Sequence, residues 1–417
     1  MTQTSQKNNR VFWEHPWSYM ESFFIGIGLL LTGFMLELFI PSSEDFLISY
    51  PLNVIFLGGY VCLLFIAYKW FSDIQLIRWL TKVPASISSI VLVTFMVMIM
   101  GIVPQIPSEN ALIHKFGLNH ITTHWAFLLL LFQFLTCLGL VTIKRLLQFS
   151  WSNIGFVVSH LGLFIAIVAG VIGSGDLQRL SLNVYEGKPS FVAYDDDNQQ
   201  IELPFAFFLN DFLIEEYSPK LALVDNKTGS IAHNNGKNLY LVEKGETYYF
   251  QNFEVHINDF LLNAGKHGAT YFFVNEVGSP PAALVSVKNT ENDSLVTGWI
   301  SSGSFRYPYE SLKISADYSI VMTVPEPKKF SSDIDILTKE GERINAILEV
   351  NESFTYEGWD IYQLSYDETM GKWSDLSVIE LVRDPWLPVI YSGIFMMIFG
   401  AMNMFWLGNT MNKKDEE

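Results

Sequence analysis

Cysteine is scarce in this chain, with two in 417 residues. Cys62 and Cys137 both lie inside apolar runs, and there is no Cys-x-x-Cys, no Cys/His zinc spacing and no cysteine in the polar part. A disulfide framework, a thiol-reductase role and a structural zinc site are therefore not expected. Positive charge is short as well, with 26 Lys+Arg against 43 Asp+Glu and a net charge of −17. Phosphate binding needs a basic face, so nucleic acid is not an expected partner. A glycine-rich phosphate loop is missing too; "GKHG" at 265–268 fits a turn better than a Walker loop. No Ser/His/Asp arrangement can be argued from spacing, so the residues alone offer no catalytic constellation.

Apolar residues, in contrast, make up half of the chain and are unevenly spread. Six runs reach the ~18–20 residues needed to cross a bilayer, at roughly 20–41, 51–68, 84–104, 121–143, 152–173 and 386–408. The opening "MTQTSQKNNRVFWEHPWSYM" is polar for too long to be a cleaved signal, and no small-residue cleavage site follows the first run. That run reads as a retained helix. If the chain alternates across the membrane, Lys7, Arg10, Lys69, Arg78, Lys82, Lys144, Arg145, Lys413 and Lys414 share one side. Outside the long polar segment, only Lys115 falls on the other. The positive-inside rule then makes both termini cytoplasmic and the segment 175–385 external, which in a bacterium means periplasmic.

That external segment carries 33 Asp+Glu against 16 Lys+Arg, while the rest of the chain is balanced at ten each. An acidic face can solvate a surface or attract a basic protein, and solvation is the commoner use. Short alternating runs rich in Val, Tyr and Phe, such as "SLNVYEG", "FVAYD" and "AALVSVKN", are separated by Gly, Asn, Asp and Pro. They predict antiparallel strands in a sandwich or barrel-like stack. The expected architecture is a polytopic α-helical membrane protein with an all-β extracytoplasmic domain between spans five and six. Its regions are 1–83 with two helices, 84–174 with three, the β-domain at 175–385, and 386–417 with the last helix and a short tail.

Histidines supply the candidate chemistry. His160 lies well inside the apolar run 152–173, where an imidazole is costly unless something pairs with it. Gly155, Ser159, Gly162, Ala166, Ala169 or Gly170, and Gly173 form a small-residue stripe on the same helix, with His160 read at its edge. Such a stripe lets another helix approach closely, or leaves room for a flat macrocycle. His160 is accordingly open between inter-helix hydrogen bonding and ligation of haem iron. His120 and His124, in "HKFGLNHITTHW" with His114, would share a face if helical and could grip a metal or touch haem. Interfacial His and Trp more often anchor a span. The three aspartates of "YDDDNQ" at 194–199 lack the EF-hand glycine and glutamate and read as a solvated turn.

Four stretches carry a resemblance: "SIVLVTFMVMIMGIVPQIP", "VVSHLGLFIAIVAGVIGSGDLQRLSLNVYEG", "LPFAFFLNDFLIEEYSP" and "YEGWDIYQLSYD…VIELVRDPWLPVIYSGIFMMIFGA". In this order, over roughly residues 85–410, the chain resembles the ResB family of cytochrome c maturation proteins. It departs from the shorter members by the two extra spans at 20–68, and by Trp386 where glycine often follows Asp-Pro.

The resemblance implies a subunit of the system II apparatus, which carries haem b across the bacterial inner membrane and attaches it to apocytochrome c. The partner would be a CcsA-like membrane protein bearing a tryptophan-rich haem segment; the eleven Trp of this chain are dispersed. By position, His160 matches the family's intramembrane haem ligand, with the second axial histidine expected from that partner. The chain would then be a non-catalytic or co-catalytic part of a holocytochrome c synthase. The competing readings are a membrane-anchored β-domain receptor or sensor that handles no haem, and a transporter for another solute. A transporter would more often show paired broken helices or several intramembrane charges, where here only Glu21 and Glu37 qualify.

Overall fold

Each of the six apolar runs forms one long helix in the computed structural model, which describes residues 13–42, 48–233 and 236–414. The long helices are α1 (Tyr19–Phe39), α2 (Leu52–Phe71), α4 (Val83–Ile102), α6 (Trp125–Leu147), α7 (Ile154–Gly173) and α8 (Leu387–Lys414). Two short ones, α3 (Gln75–Leu80) and α5 (Ala111–Lys115), stand between them. At 1.5 Å per residue, 20 helical residues span about 30 Å, the thickness of a hydrocarbon core. Of the residues used for orientation, Lys7 and Arg10 lie outside the described residues. The chain divides into two units, one holding the helices (Met1–Leu177 with Asp384–Glu417) and one holding the strands (Gln178–Arg383).

In the helical unit, α6 is central. Leu131, Phe134, Leu135, Cys137, Leu138 and Leu140 are buried against α2, α3, α4 and α7, while Ala126 and Leu130 pack with Leu92 and Met96 of α4. By contrast α2 turns Ile55, Phe56, Leu63 and Phe65 outward, a surface that suits lipid and not water. Glu21, one of the two acidic residues in the runs, closes α1: its carboxylate accepts from Ser18 N–H at 2.8 Å in a capping box. At the other end of the bundle, Asp176 accepts from Tyr50 N–H (2.6 Å), Asn53 Nδ2 (2.7 Å) and Trp386 Nε1 (2.6 Å). One carboxylate thus ties the start of α2, the end of α7 and the start of α8.

The strand unit is all-β and antiparallel throughout its paired strands, as expected, and is built from one large sheet and a smaller two-sheet module. Eight strands run in the order β15 (Arg343–Glu349), β14 (Pro327–Leu337), β3 (Gln200–Glu216), β2 (Pro189–Tyr194), β1 (Gln178–Tyr185), β18 (Leu376–Arg383), β17 (Trp359–Tyr366), β16 (Ser353–Tyr356). Their inward residues, among them Leu182, Phe207, Leu209, Ile336, Leu348, Ile361 and Leu381, form a single core. Edge strand β15 approaches β16 and β17, so the sheet curls toward closure. Between β3 and β14 the chain makes a second module of two four-stranded sheets. One is β11 (Leu295–Ser301), β10 (Ala282–Asn289), β7 (Phe253–Leu261) and β6 (Thr247–Phe250). The other is β12 (Leu312–Lys313), β13 (Tyr318–Met322), β4 (Lys220–Asp225) and β5 (Leu239–Leu241), and the two share a core that includes Leu221, Phe250, Val285, Ile300 and Ile320. A small hairpin of β8 (Ala264–His267) and β9 (Thr270–Phe273) completes it.

One polar knot ties the edge strand β15 to β14 and β3. Asp335, 5% exposed, accepts from Asn345 Nδ2 and Asn210 Nδ2, each at 3.0 Å, and pairs with the Arg343 guanidinium. Burial pushes its carboxyl up, but the bonds from Asn345, Asn210 and Arg343 outweigh that and hold it below the usual range.

Candidate functional site

His160 sits six residues into α7, and its ring is held from two sides. Nδ1 lies 2.9 Å from the Phe156 carbonyl oxygen, one turn back, so Nδ1 carries the proton and donates it there. The imidazole also stacks on the Phe156 ring at 3.7 Å between centroids with planes 22° apart. The guanidinium of Arg145, in the last turn of α6, covers Phe156 at 5.4 Å. With Nδ1–H engaged, the free lone pair is on Nε2, which has no hydrogen-bond partner among the described residues. A fixed tautomer with an open Nε2 is the donor arrangement an axial imidazole requires.

The stripe of small residues is filled by α8. A Cβ on Gly162 would lie 2.5 Å from the Gly393 carbonyl oxygen, and one on Gly155 would lie 2.9 Å from that of Gly400. In the reverse direction, a Cβ on Gly400 would lie 2.5 Å from Ser159 N and one on Gly393 would lie 2.7 Å from Ala166 N. Gly173 ends the row under the Trp386 ring. The two antiparallel helices therefore approach backbone to backbone, and no space for a macrocycle remains on that face. His160 is not at its edge. Two residues before Gly162 on a 3.6-residue helix, it points about 160° away, on the side of Phe156, Phe164 and Ile167. The stripe and the histidine are separate features.

His120 and His124 are not on a helix together, because α6 begins only at Trp125. His124 is its N-cap, wholly buried: Nδ1 accepts from Ala126 N–H at 3.0 Å and Nε2 donates to the Phe116 carbonyl at 3.1 Å. Its ring meets Phe34 edge-on at 4.8 Å. Both nitrogens are spent on the backbone, so this residue locks the turn before α6 and has no lone pair to offer a metal. His120 Nε2 is 3.1 Å from Glu37 Oε1. Glu37, 2% exposed, also accepts from Ser42 N–H (2.9 Å) and from Trp125 N–H (3.2 Å), the first amide of α6. A carboxylate at a helix N-terminus is stabilising there. This knot joins the ends of α1 and α6 and accounts for Glu37 in the run.

The remaining polar candidates are ordinary structure. In "YDDDNQ", Asp195 accepts from the amides of Asp197 and Gln199 and shapes the turn between β2 and β3. "GKHG" lies in the β8–β9 hairpin, with Gly268 at φ +62°. His256 Nδ1 lies 2.9 Å from Thr247 Oγ1 within a sheet. No group of three His, Cys, Asp or Glu side chains among the described residues could hold a metal ion. Reading by type alone missed Phe156 and Arg145, which look like lipid-facing and boundary residues until the fold sets them on His160.

Comparison with known protein-family models and with curated proteins returns no match for this chain.

Proposed function

We propose that this chain is a ResB-like subunit of a system II cytochrome c maturation complex, the membrane protein that holds haem b in transit before its attachment to apocytochrome c. The observation that carries the reading is the His160 ring: Nδ1–H fixed on Phe156 and Nε2 unpaired, inside an apolar helix long enough to cross a bilayer. Leaving a polar nitrogen unpartnered in hydrocarbon is costly, which favours a ligand for it. Haem iron suits this donor, as a neutral imidazole in a low-dielectric setting keeps the iron coordinated and tunes its potential. Nothing on α7 supplies a second axial donor. That ligand is assigned to a CcsA-like partner.

The orientation follows from the loops. With Arg78, Lys82, Lys144 and Arg145 at the inner surface, the strand unit of residues 178–383 is periplasmic and both termini are cytoplasmic. His160 lies nearer the inner end of its span, where cargo from the cytoplasm would first meet it. In this arrangement Phe156 orients the ring through its carbonyl and its π-face, and Arg145 restrains Phe156. The domain that carries the chain's net negative charge would receive the apocytochrome on the outer side. Bond formation to the CxxCH thiols uses cysteines of the substrate, consistent with a chain that has none in its strand unit.

The test is genetic. Deleting the gene should abolish covalently haem-stained c-type cytochromes while leaving b-type cytochromes present, and the wild-type gene should restore them. Normal holocytochrome c in the deletion strain would sink the proposal in favour of a β-domain receptor on a passive anchor.

A further inference from the structure

A cavity of about 310 Å³ lies between the segment before α1 and the corner joining α3 to α4. Its lining combines the aromatic His15, Trp17 and Trp79 with the polar Gln75 and the basic Arg78 and Lys82. The aromatic part is built, not incidental. Trp79 is 4% exposed and its Nε1 donates to Ser22 Oγ at 2.8 Å, which locks the indole against α1. Trp17 meets it edge-on at 5.4 Å, and His15 stacks on Trp17 at 4.7 Å. At the basic residues, Thr81 Oγ1 bonds the Arg78 carbonyl at 3.0 Å and Lys82 N–H bonds that of Trp79 at 2.9 Å. This tight corner projects both cations from one place.

We propose that this cavity binds the head group of one anionic phospholipid, its phosphodiester between Arg78 and Lys82 and its glycerol against Trp17 and Trp79. Charge and size select the ligand. Arg78 is paired with Asp73 at 3.2 Å, so Arg78, Lys82 and Asp73 together carry one net positive charge. That matches a phosphodiester monoanion and not the two carboxylates of haem. The volume is at the small end of ligand pockets, enough for a head group. Guanidinium and ammonium donors bind phosphate oxygens through charge-assisted hydrogen bonds, and Trp is suited to the head-group level. The inference rests on reading the helices as membrane spans with this corner at the membrane surface.

Native mass spectrometry of the full-length protein in detergent, with phosphatidylglycerol, phosphatidylcholine or haem added separately, tests it. Wild type should retain a phosphatidylglycerol adduct at energies that strip phosphatidylcholine. The double variant Arg78→Gln/Lys82→Gln should lower its occupancy about tenfold, as lost charge-assisted bonds would. Gln75→Trp, which fills the cavity and keeps both cations, should do the same, and Lys69→Gln/Lys144→Gln should change nothing. Equal retention of both lipids, or loss of haem and not lipid in the variants, overturns the proposal. Release of the protein from membranes by alkaline carbonate would instead overturn the membrane reading beneath it.

Discussion

At the scale of single residues, three histidines near or inside helices have three different tasks. His124 spends both nitrogens on backbone groups, His120 gives Nε2 to a buried carboxylate near the start of α6, and His160 keeps Nε2 open inside a long apolar helix. Substitution should separate them. His124→Ala removes the α6 cap and leaves the Phe116 carbonyl unpaired, a loss of about 1–3 kcal/mol. A thermal melt of the detergent-solubilised protein should fall for His124→Ala and hardly move for His160→Ala. The cost of His160 was legible in the sequence, because a titratable ring in a long apolar run stands out. Its partners were not. Phe156 is one turn away and could have been guessed, but Arg145 reaches it only through the packing of α6 on α7. The knot at Glu37 was hidden for the same reason, since its donors at Ser42, His120 and Trp125 lie five to 88 positions away.

Among elements, the α7–α8 pair depends on glycine where a methyl group would strike backbone. Gly162→Leu would force these helices apart, since its Cβ would lie 2.5 Å from the Gly393 carbonyl oxygen, at a cost of about 1–3 kcal/mol or more. Gly170, with nothing within 4 Å of an added Cβ, should accept Ala without loss. Melting curves of the two variants check the contrast. Spacing identified this stripe but not its occupant, because small residues at helical intervals suit a helix or a flat ligand equally. Helix ends show a similar limit. The run at 121–143 becomes Trp125–Leu147, because hydropathy counts Ile121 and discounts Lys144 and Arg145. Hydrogen bonding, in contrast, starts the helix at the His124 cap and lets the basic pair finish its last turn. Trp386 covers Gly173 and donates to Asp176. Trp386→Gly should therefore destabilise the helical unit, measured in the same melts.

Over the whole molecule, the helical unit exposes large apolar side chains, and the strand unit carries a pH response of its own. In the strand unit, the Asp335 carboxyl is held below its ordinary range. A depressed pKa contributes stability above the unfolded value near ~3.9, and that contribution is lost as pH falls through the folded value. Acid melts of the full chain below about pH 4 should thus show the strand unit weakening, with less pH dependence in Asp335→Asn. The division into apolar helices and an inserted β-domain was legible, because hydropathy and alternation are strong signals over long stretches. The insertion of one β-module between β3 and β14 was not, since sheet order follows from long-range pairing that no local pattern records. The proposal that His160 offers Nε2 to haem iron is tested most directly by optical spectroscopy of the full-length protein co-expressed with a CcsA-like protein. A b-type Soret band that is lost or strongly reduced in His160→Ala and restored by added imidazole is expected; a band of unchanged intensity and position in that variant would rule out His160 as the ligand.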